Sequence, residues 1–388
     1  MRVSAKIWAC AAMLFLSLSL GALEAAPVRP GHPRLLIRAD SGGDPRTPTL
    51  GMIAEKGQDP RYDTFRRRLA NSLPNLAMRA LAYGDDAAAD SAIALLVQPI
   101  SYSYTTWDGY RVMFASLVFD WLYHHPHFDD WEKAMAVDRI VAGARHLYEL
   151  LHQDNHLFHT RMYGWTTGLA AAGYALHGHF EEAGQWLEFT DDYFRNHLLP
   201  GRRLLGGSVH NGSGYGRHYI MSFTGHYLSL VYTATGEDLW MEIRRDQDDW
   251  AFREALFIIY GRQPDGLMFK FGDCFRRTSE RFSFRAIAER NWHYREPVLQ
   301  GYLNSLLAEQ TESVFEMGMD YMAYLYYDPD LSASGVEGLP TRTIFGPYGT
   351  GMVFWRGWGL RDPWIFFKCG DYFGNHGHYD QGNVEVFR

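Results

Sequence analysis

Apolar side chains recur at every third or fourth position over most of the chain, from about residue 60 to about residue 308. This spacing places them on one face of a helix, so it predicts a series of amphipathic α-helices joined by short segments that hold Gly, Pro, Asp and His. The clearest predicted helices cover residues 63–83, 110–123, 129–151, 164–176, 181–197 and 240–260. Helices in series favour a helical solenoid or a closed α/α toroid.

The pattern changes after about residue 331, where short runs of β-branched and aromatic residues replace the helical spacing. Turns with glycine and proline separate these runs, which is typical of an antiparallel sheet. The predicted strands lie at 343–345, 351–355, 364–367 and 383–388. Because a sheet of so few strands leaves an open edge, we expect it to be incomplete and the chain to be a fragment of a longer protein.

The first 26 residues are typical of a secretory signal peptide, since the basic residues Arg2 and Lys6 precede an apolar run at 7–20, and small residues follow that run. This run is too short for a membrane anchor. We therefore expect a periplasmic or secreted protein with no membrane span after cleavage. The predicted fold is multidomain α and β: a signal peptide at 1–26, an α/α toroid or incomplete helical barrel at 27–335, and the start of a C-terminal antiparallel β-sandwich at 336–388.

Composition narrows the class of partner. The formal net charge of -8 argues against a nucleic-acid-binding protein, which needs a basic surface. It is compatible with an anionic substrate, because a local group of Arg or His outweighs a diffuse acidic surface. The aromatic content of 15% suits stacking against sugar rings, although aromatic residues fill protein cores equally well. Cys274 and Cys369 remain after signal cleavage, and an oxidising compartment would allow them to pair.

Residues 374–382, Gly-Asn-His-Gly-His-Tyr-Asp-Gln-Gly, form the most informative motif. If this run is a strand, His376, His378 and Asp380 project from the same side. Two imidazoles beside a carboxylate suit proton transfer or metal ligation. The alternative is an edge strand that carries polar residues outward.

Further polar clusters fall at predicted junctions between helices, where loops present functional side chains. Structural alternatives are histidines that cap helices in the first cluster, a glycine-rich turn in the second, and a turn capped by Asp273 in the third. The clusters lie at 152–161, 208–219 and 265–273.

These segments resemble the heparinase II/III-like polysaccharide lyases, a group that includes alginate and oligoalginate lyases. The resemblance rests on Gly-His-Pro-Arg-Leu-Leu at 31–36, Phe-Asp-Trp-Leu-Tyr at 119–123, Gly-Ser-Gly-Tyr at 212–215 and, most specifically, His-x-His-x-Asp at 376–380. It implies an N-terminal α/α toroid and a C-terminal β-sandwich with the cleft between them. It also implies β-elimination of an anionic polysaccharide or oligosaccharide that contains uronic acid. The C5 proton is removed, the C4 oxygen leaves and an unsaturated sugar remains.

This chemistry needs hydrogen-bond donors that neutralise the uronate carboxylate, together with a base and an acid. By the resemblance, Tyr215 is the acid and a candidate base, His159 is the base or a carboxylate partner, and His376 contacts the carboxylate. Cationic neighbours would lower the pKa of Tyr215, and Arg217 and His218 are the candidates. The resemblance implies further substrate-binding residues, which are Asn155, Asn211, Arg217, His218, Asp273 and Asn375.

Two positions depart from the family pattern. Phe158 stands where alginate-acting relatives carry Asn, and Asn211 stands where many relatives carry Glu. No cofactor is expected in the reaction. In zinc-bearing relatives the residue matching His378 is a metal ligand, but the remaining ligands come from later strands, so we expect structural zinc only in a full-length protein.

Two other classes of function remain open. A glycoside hydrolase on an α/α toroid would need two carboxylates that flank the scissile bond, and Asp120 and Asp273 are candidates. A non-catalytic carbohydrate-binding protein would keep the cleft for capture alone. Release of an unsaturated, ultraviolet-absorbing product separates a lyase from both.

Overall fold

A computed structural model describes residues 26–69, 72–154, 156–246, 249–274, 283–309 and 319–388. All but the last position of the predicted signal peptide therefore lie outside the described residues. The described chain is mostly helical and ends in a small antiparallel sheet. Within the described ranges, no helix has both the length and the apolar content needed to cross a lipid bilayer.

The helical part runs from residue 50 to residue 326. Its helices are α1 (Leu50–Gln58), α2 (Asp63–Arg66), α3 (Leu73–Tyr83), α4 (Asp86–Leu96), α5 (Thr106–Leu122), α6 (Asp130–Gln153), α7 (Thr160–Leu176), α8 (Ala183–Tyr193), α9 (Leu199–Leu205), α10 (Ser213–Tyr215), α11 (Ser222–Thr235), α12 (Leu239–Arg245), α13 (Trp250–Gly261), α14 (Ser283–Tyr294), α15 (Pro297–Ala308) and α16 (Asp320–Tyr326). Wider π-helical turns at Phe194–Leu198 and Gly216–Met221 join α8 to α9 and α10 to α11.

Most predicted helices are confirmed with shifted ends, and α6 begins at a capping box formed by Asp129 and Glu132. Two predictions of single long helices are wrong. The 63–83 segment contains α2 and α3, and Ser72 and Pro74 begin the second of these. The 240–260 segment contains α12 and α13, because the Asp249 side chain accepts the Phe252 N–H and starts a new helix there.

The four predicted strands are confirmed as one antiparallel sheet of order β1-β2-β3-β4. Its inner face is aromatic and buried, with Phe354 paired to Phe366 in register. Alternation along the strands turns Trp355, Phe367 and Val386 outward, where they are exposed. The strands are β1 (Arg342–Phe345), β2 (Met352–Arg356), β3 (Trp364–Lys368) and β4 (Val384–Phe387).

The sheet is attached to the end of α13. The buried Arg356 guanidinium donates to the carbonyls of Ile259 at 3.0 Å and Arg262 at 2.7 Å, and the Trp364 indole N–H donates to the Tyr260 carbonyl at 2.8 Å. Phe257 of α13 packs edge-on against Phe354. The helical part and the sheet therefore share one core, and the loops at this junction are fixed relative to each other.

Asp120 has a structural role and is not available as a hydrolase carboxylate. It is buried, it accepts the backbone N–H groups of Arg34 and Leu35 at 2.8 Å each, and it lies 2.5 Å from Nδ1 of His32. Its interactions anchor the N-terminal segment to α5. The two motifs at 31–36 and 119–123 thus meet in space to hold the fold together.

Candidate active site

Tyr215 and His376 stack on each other where the helical part meets the sheet. Tyr215 ends the short helix α10, and His376 lies on the loop between β3 and β4. Their ring centroids are 3.8 Å apart, with the planes inclined by 20°. Two residues that are 161 positions apart in sequence (376 minus 215) thus form one aromatic pair.

Asp273 holds both histidines of the motif. Its Oδ2 lies 2.6 Å from Nδ1 of His376 and its Oδ1 lies 2.8 Å from Nε2 of His378. Because an ionised carboxylate only accepts hydrogen bonds, each imidazole donates a hydrogen bond to it. Burial alone would raise the pKa of Asp273, but these two hydrogen bonds outweigh burial and lower it. Asp273 therefore does not fit the predicted role in binding an anionic substrate, since both oxygens are engaged and its charge would repel the ligand.

The predicted strand at 374–382 is wrong, because this segment is a loop. His376 and His378 do converge, through Asp273, but Asp380 forms an ion pair with Lys368 instead. Left-handed backbone conformations interrupt any strand here, with φ values of 73° at Gly374, 43° at Asn375 and 83° at Gly382.

His159 caps the start of α7, which confirms the capping alternative for this histidine. Its Nδ1 accepts the Arg161 backbone N–H at 3.2 Å, and its ring centroid lies 6.0 Å from that of His376. Burial, together with the charges of Arg161 and His376, lowers the pKa of His159 to about 4. The imidazole is therefore neutral at pH 7, and its proton lies on Nε2, the nitrogen that is left to donate.

Tyr215 is in an environment that keeps its phenol protonated. Burial and the charge of Asp273 raise its pKa. Of the two cationic neighbours predicted from sequence, His218 does not have the expected effect, and the prediction for Arg217 stays untested. His218 is buried, and its Nδ1 accepts a hydrogen bond from the Arg285 guanidinium at 2.9 Å. Arg217 lies in the π-helical turn, and its side chain is outside the described structure.

Asn211 is fully buried, and neither side-chain atom has a hydrogen-bond partner among the described residues. The next residue, Gly212, has φ of 97°, and a Cβ there would lie 2.5 Å from the backbone N and O of Asp273. Only glycine permits this close approach. The predicted ligand Asn155 lies outside the described residues.

Asn375 connects the two sides of a cleft that adjoins His159. Its side-chain amide lies 3.5 Å from the Phe158 carbonyl on the helical side. The cleft has a volume of about 440 Å³. Its lining contains Arg161 and His156, which lie in the polar cluster at 152–161 but had no predicted role. The full lining is His156, Leu157, Phe158, His159, Arg161, Phe373, Gly374 and Asn375.

Among the described residues, no three His, Cys, Asp or Glu side chains are arranged to hold a metal ion. The described ligands therefore do not fit a zinc site, and His378 is hydrogen-bonded to Asp273 instead. The zinc ligand role of His378 stays a prediction that requires further ligands. Cys274 and Cys369 are both free, so the considered disulfide is not formed in this structure.

No protein-family model and no curated protein sequence matches the chain. The structure is similar to the crystal structure of heparinase III, with a TM-score of 0.51 and 15% sequence identity. The similarity covers 83% of this chain and 48% of that chain, so this chain spans about half the length of the solved structure. At this identity the similarity concerns the fold alone. The chain thus has a heparinase-like fold, mostly helical with a small antiparallel sheet near its C-terminus.

Proposed function

We propose that the protein is a polysaccharide lyase that cleaves a uronic-acid-containing polysaccharide by β-elimination. The observation that carries this proposal is the stacked pair of Tyr215 and His376, with His159 beside it at the edge of a cleft. The heparinase-like fold agrees with it at the level of architecture. The three side chains supply the groups that elimination requires.

The hydrogen bonds of the two histidines and the protonated state of Tyr215 suggest a role for each side chain. Neutral His159 donates from Nε2 to the uronate carboxylate, which makes the neighbouring C5 proton more acidic. His376 donates from Nδ1 to Asp273, so its neutral form has a lone pair on Nε2 that accepts the C5 proton. Protonated Tyr215 donates its phenol proton to the departing C4 oxygen. One proton is taken up and one is released, and a C4–C5 double bond forms.

The proposal includes the wider architecture and location. In it the described helices form part of an α/α toroid, the sheet begins a β-sandwich, and the cleft between them holds an anionic polysaccharide. The signal-peptide pattern at 1–26 favours action in the periplasm or outside the cell. The hydrolase alternative is weakened because both candidate carboxylates are engaged. Asp120 accepts backbone N–H groups of the N-terminal segment, and Asp273 accepts hydrogen bonds from His376 and His378.

The decisive experiment is ultraviolet absorbance of a panel of uronic-acid polysaccharides incubated with the protein. We expect the absorbance to rise with at least one polymer, and we expect Tyr215→Phe and His376→Ala to abolish this rise. Tyr348→Phe and His127→Ala change exposed residues outside the cleft and serve as matched controls that keep the activity. New reducing ends without absorbance would indicate a hydrolase, and binding without either product would indicate a capture protein.

A further inference from the structure

The cleft beside His159 is lined by basic and aromatic side chains. Its basic residues are His156, His159 and Arg161, and the rings of Phe158 and Phe373 lie 4.9 Å apart at its wall. None of the described lining residues is acidic. The elimination chemistry uses only His159 from this set, so the other two basic groups have no assigned task.

Arg161 is held in one orientation. Its Nη2 lies 2.9 Å from Oδ2 of Asp154, and its guanidinium packs 4.8 Å from the ring centroid of Tyr104 and 5.4 Å from that of Trp165. Its Nε is buried and has no hydrogen-bond partner among the described residues. A buried donor without an acceptor costs free energy, so the described residues do not fully satisfy Arg161, and its partly exposed side chain faces the cleft.

One carboxylate also positions His156. Asp154 is buried, accepts the His156 backbone N–H at 3.1 Å, and lies 2.6 Å from Nδ1 of the exposed His156 ring. Because Nδ1 donates to Asp154, Nε2 of His156 is left to contact a ligand, and it donates to an acidic group when the ring carries its second proton. Burial would raise the pKa of Asp154, but the hydrogen bonds from His156 and the charge of Arg161 lower it, so the carboxylate stays ionised.

Tyr104 completes the arrangement in an uncommon backbone conformation. Its φ is 56°, a left-handed value that few residues other than glycine adopt. The surrounding contacts maintain it, since its hydroxyl lies 3.4 Å from Asp154 and its ring supports Arg161. Such conformations concentrate at ligand sites, where the fold compensates their cost.

We propose that Arg161 and His156 bind a second acidic group of the substrate, on the sugar next to the one whose carboxylate meets His159. This inference rests on the proposed lyase function. Arg161 follows His159 by two positions at the start of α7, and both side chains line the same cleft, so a polymer that meets His159 also passes Arg161. The planar guanidinium suits carboxylate and sulfate oxygens equally. The preferred polymer therefore carries negative charge on neighbouring sugars.

The test measures equilibrium binding of three tetrasaccharides to the full chain by calorimetry: a polyuronate with a carboxylate on every sugar, a sulfated heparan type, and an unsulfated hyaluronan type with a carboxylate on alternate sugars. We expect at least one of the first two to bind about tenfold more tightly than the third. Tighter binding of the polyuronate identifies a carboxylate as the second acidic group, and tighter binding of the heparan type identifies a sulfate.

Arg161→Gln should remove this preference and leave hyaluronan-type binding within about threefold of the parent. Arg361→Gln, an exposed arginine in the turn between β2 and β3, is the matched control. If Arg161→Gln does not fold, His156→Gln is the second variant, because it is exposed and should weaken the preference without affecting the core. Equal binding of all three ligands, or equal weakening of all three by either variant, would overturn the inference. Because binding needs no turnover, a retained preference without any unsaturated product would refute the lyase proposal alone.

Discussion

Asp273 and His376 are joined twice, once through their side chains and once through their backbones. Nδ1 of His376 lies 2.6 Å from Oδ2 of Asp273, and the Asp273 backbone N–H donates to the His376 carbonyl at 3.0 Å. Asp273 belongs to the helical part and His376 to a loop of the sheet. The position of the imidazole against Tyr215 is therefore set from the helical side. Because the proton is held on Nδ1, the lone pair on Nε2 is available to the substrate.

Asp273→Asn should lower kcat for the proposed elimination by about 100-fold, because an amide does not fix the proton of His376 on Nδ1 as a carboxylate does. The measurement is the initial rate of unsaturated product formation, with the melting temperature followed in parallel. Asp371→Asn changes an exposed carboxylate on the loop that carries His376 and should retain full activity. An Asp273→Asn protein with parental kcat would exclude Asp273 as a positioning residue.

Gly212→Ala should displace Asp273 and abolish activity, since the new Cβ would meet the Asp273 backbone at 2.5 Å. Gly178→Ala is a matched control, because Gly178 has a similar positive φ of 85° but open space around it. The control measures the backbone cost alone, about 1 kcal/mol, without loss of rate. Urea unfolding and product formation distinguish the two variants, and equal activity in both would contradict the steric argument.

Lys56→Met should destabilise the helical part by about 3 kcal/mol. The buried Lys56 Nζ donates to three carbonyls at the end of α16, those of Tyr324, Leu325 and Tyr327, at 3.1, 2.7 and 2.8 Å. Removing the ammonium leaves these acceptors buried and unpaired. The free energy of unfolding in urea checks this, and Lys133→Met, at a more exposed position, should change it by less than about 0.5 kcal/mol. A similar small change for Lys56→Met would show that water replaces the ammonium.

Acid should destabilise the protein partly through His226. Its Nδ1 donates to the Ser222 carbonyl at 2.6 Å and its Nε2 accepts from the Tyr321 hydroxyl at 2.8 Å, so the folded state holds a neutral ring. Burial lowers the pKa of His226 to about 4, below its ordinary value. The unfolded chain therefore binds the extra proton first, and stability falls as the pH drops from about 6.5 toward about 4, by on the order of 2 kcal/mol.

Urea unfolding at about pH 7.5 and about pH 4.5 measures this loss. His226→Gln should be less stable at the higher pH, because it loses the two hydrogen bonds, but its stability should depend less on pH. His127→Gln alters an exposed histidine, and its stability should fall toward the lower pH as that of the parent does. An unchanged slope in His226→Gln would assign the acid sensitivity to other groups.

The local patterns in the sequence predicted most elements but not the site geometry. Periodicity identified α6 and the strands around Phe354 and Phe366, because an element that buries one face needs apolar residues at regular spacing. It missed the break between α12 and α13, where the Asp249 cap outweighs a continuous apolar pattern. The two histidines of the loop were correctly selected as neighbours, but for the wrong reason, since Asp273 rather than strand alternation brings them together.

By itself, the sequence determined the helical and strand-forming segments and the residue types available for chemistry, because hydrophobic spacing and turn residues act over a few positions. Only the tertiary structure decided which of those residues meet. The stack of Tyr215 on His376, the removal of Asp120 into the fold and the placement of Arg161 by Asp154 all depend on packing between distant segments. Burial, which packing alone decides, is the first cause of the pKa direction of both His159 and Tyr215. The charge of Asp273 on Tyr215 also comes from a distant segment, whereas His159 is affected both by the distant His376 and by Arg161, two positions away.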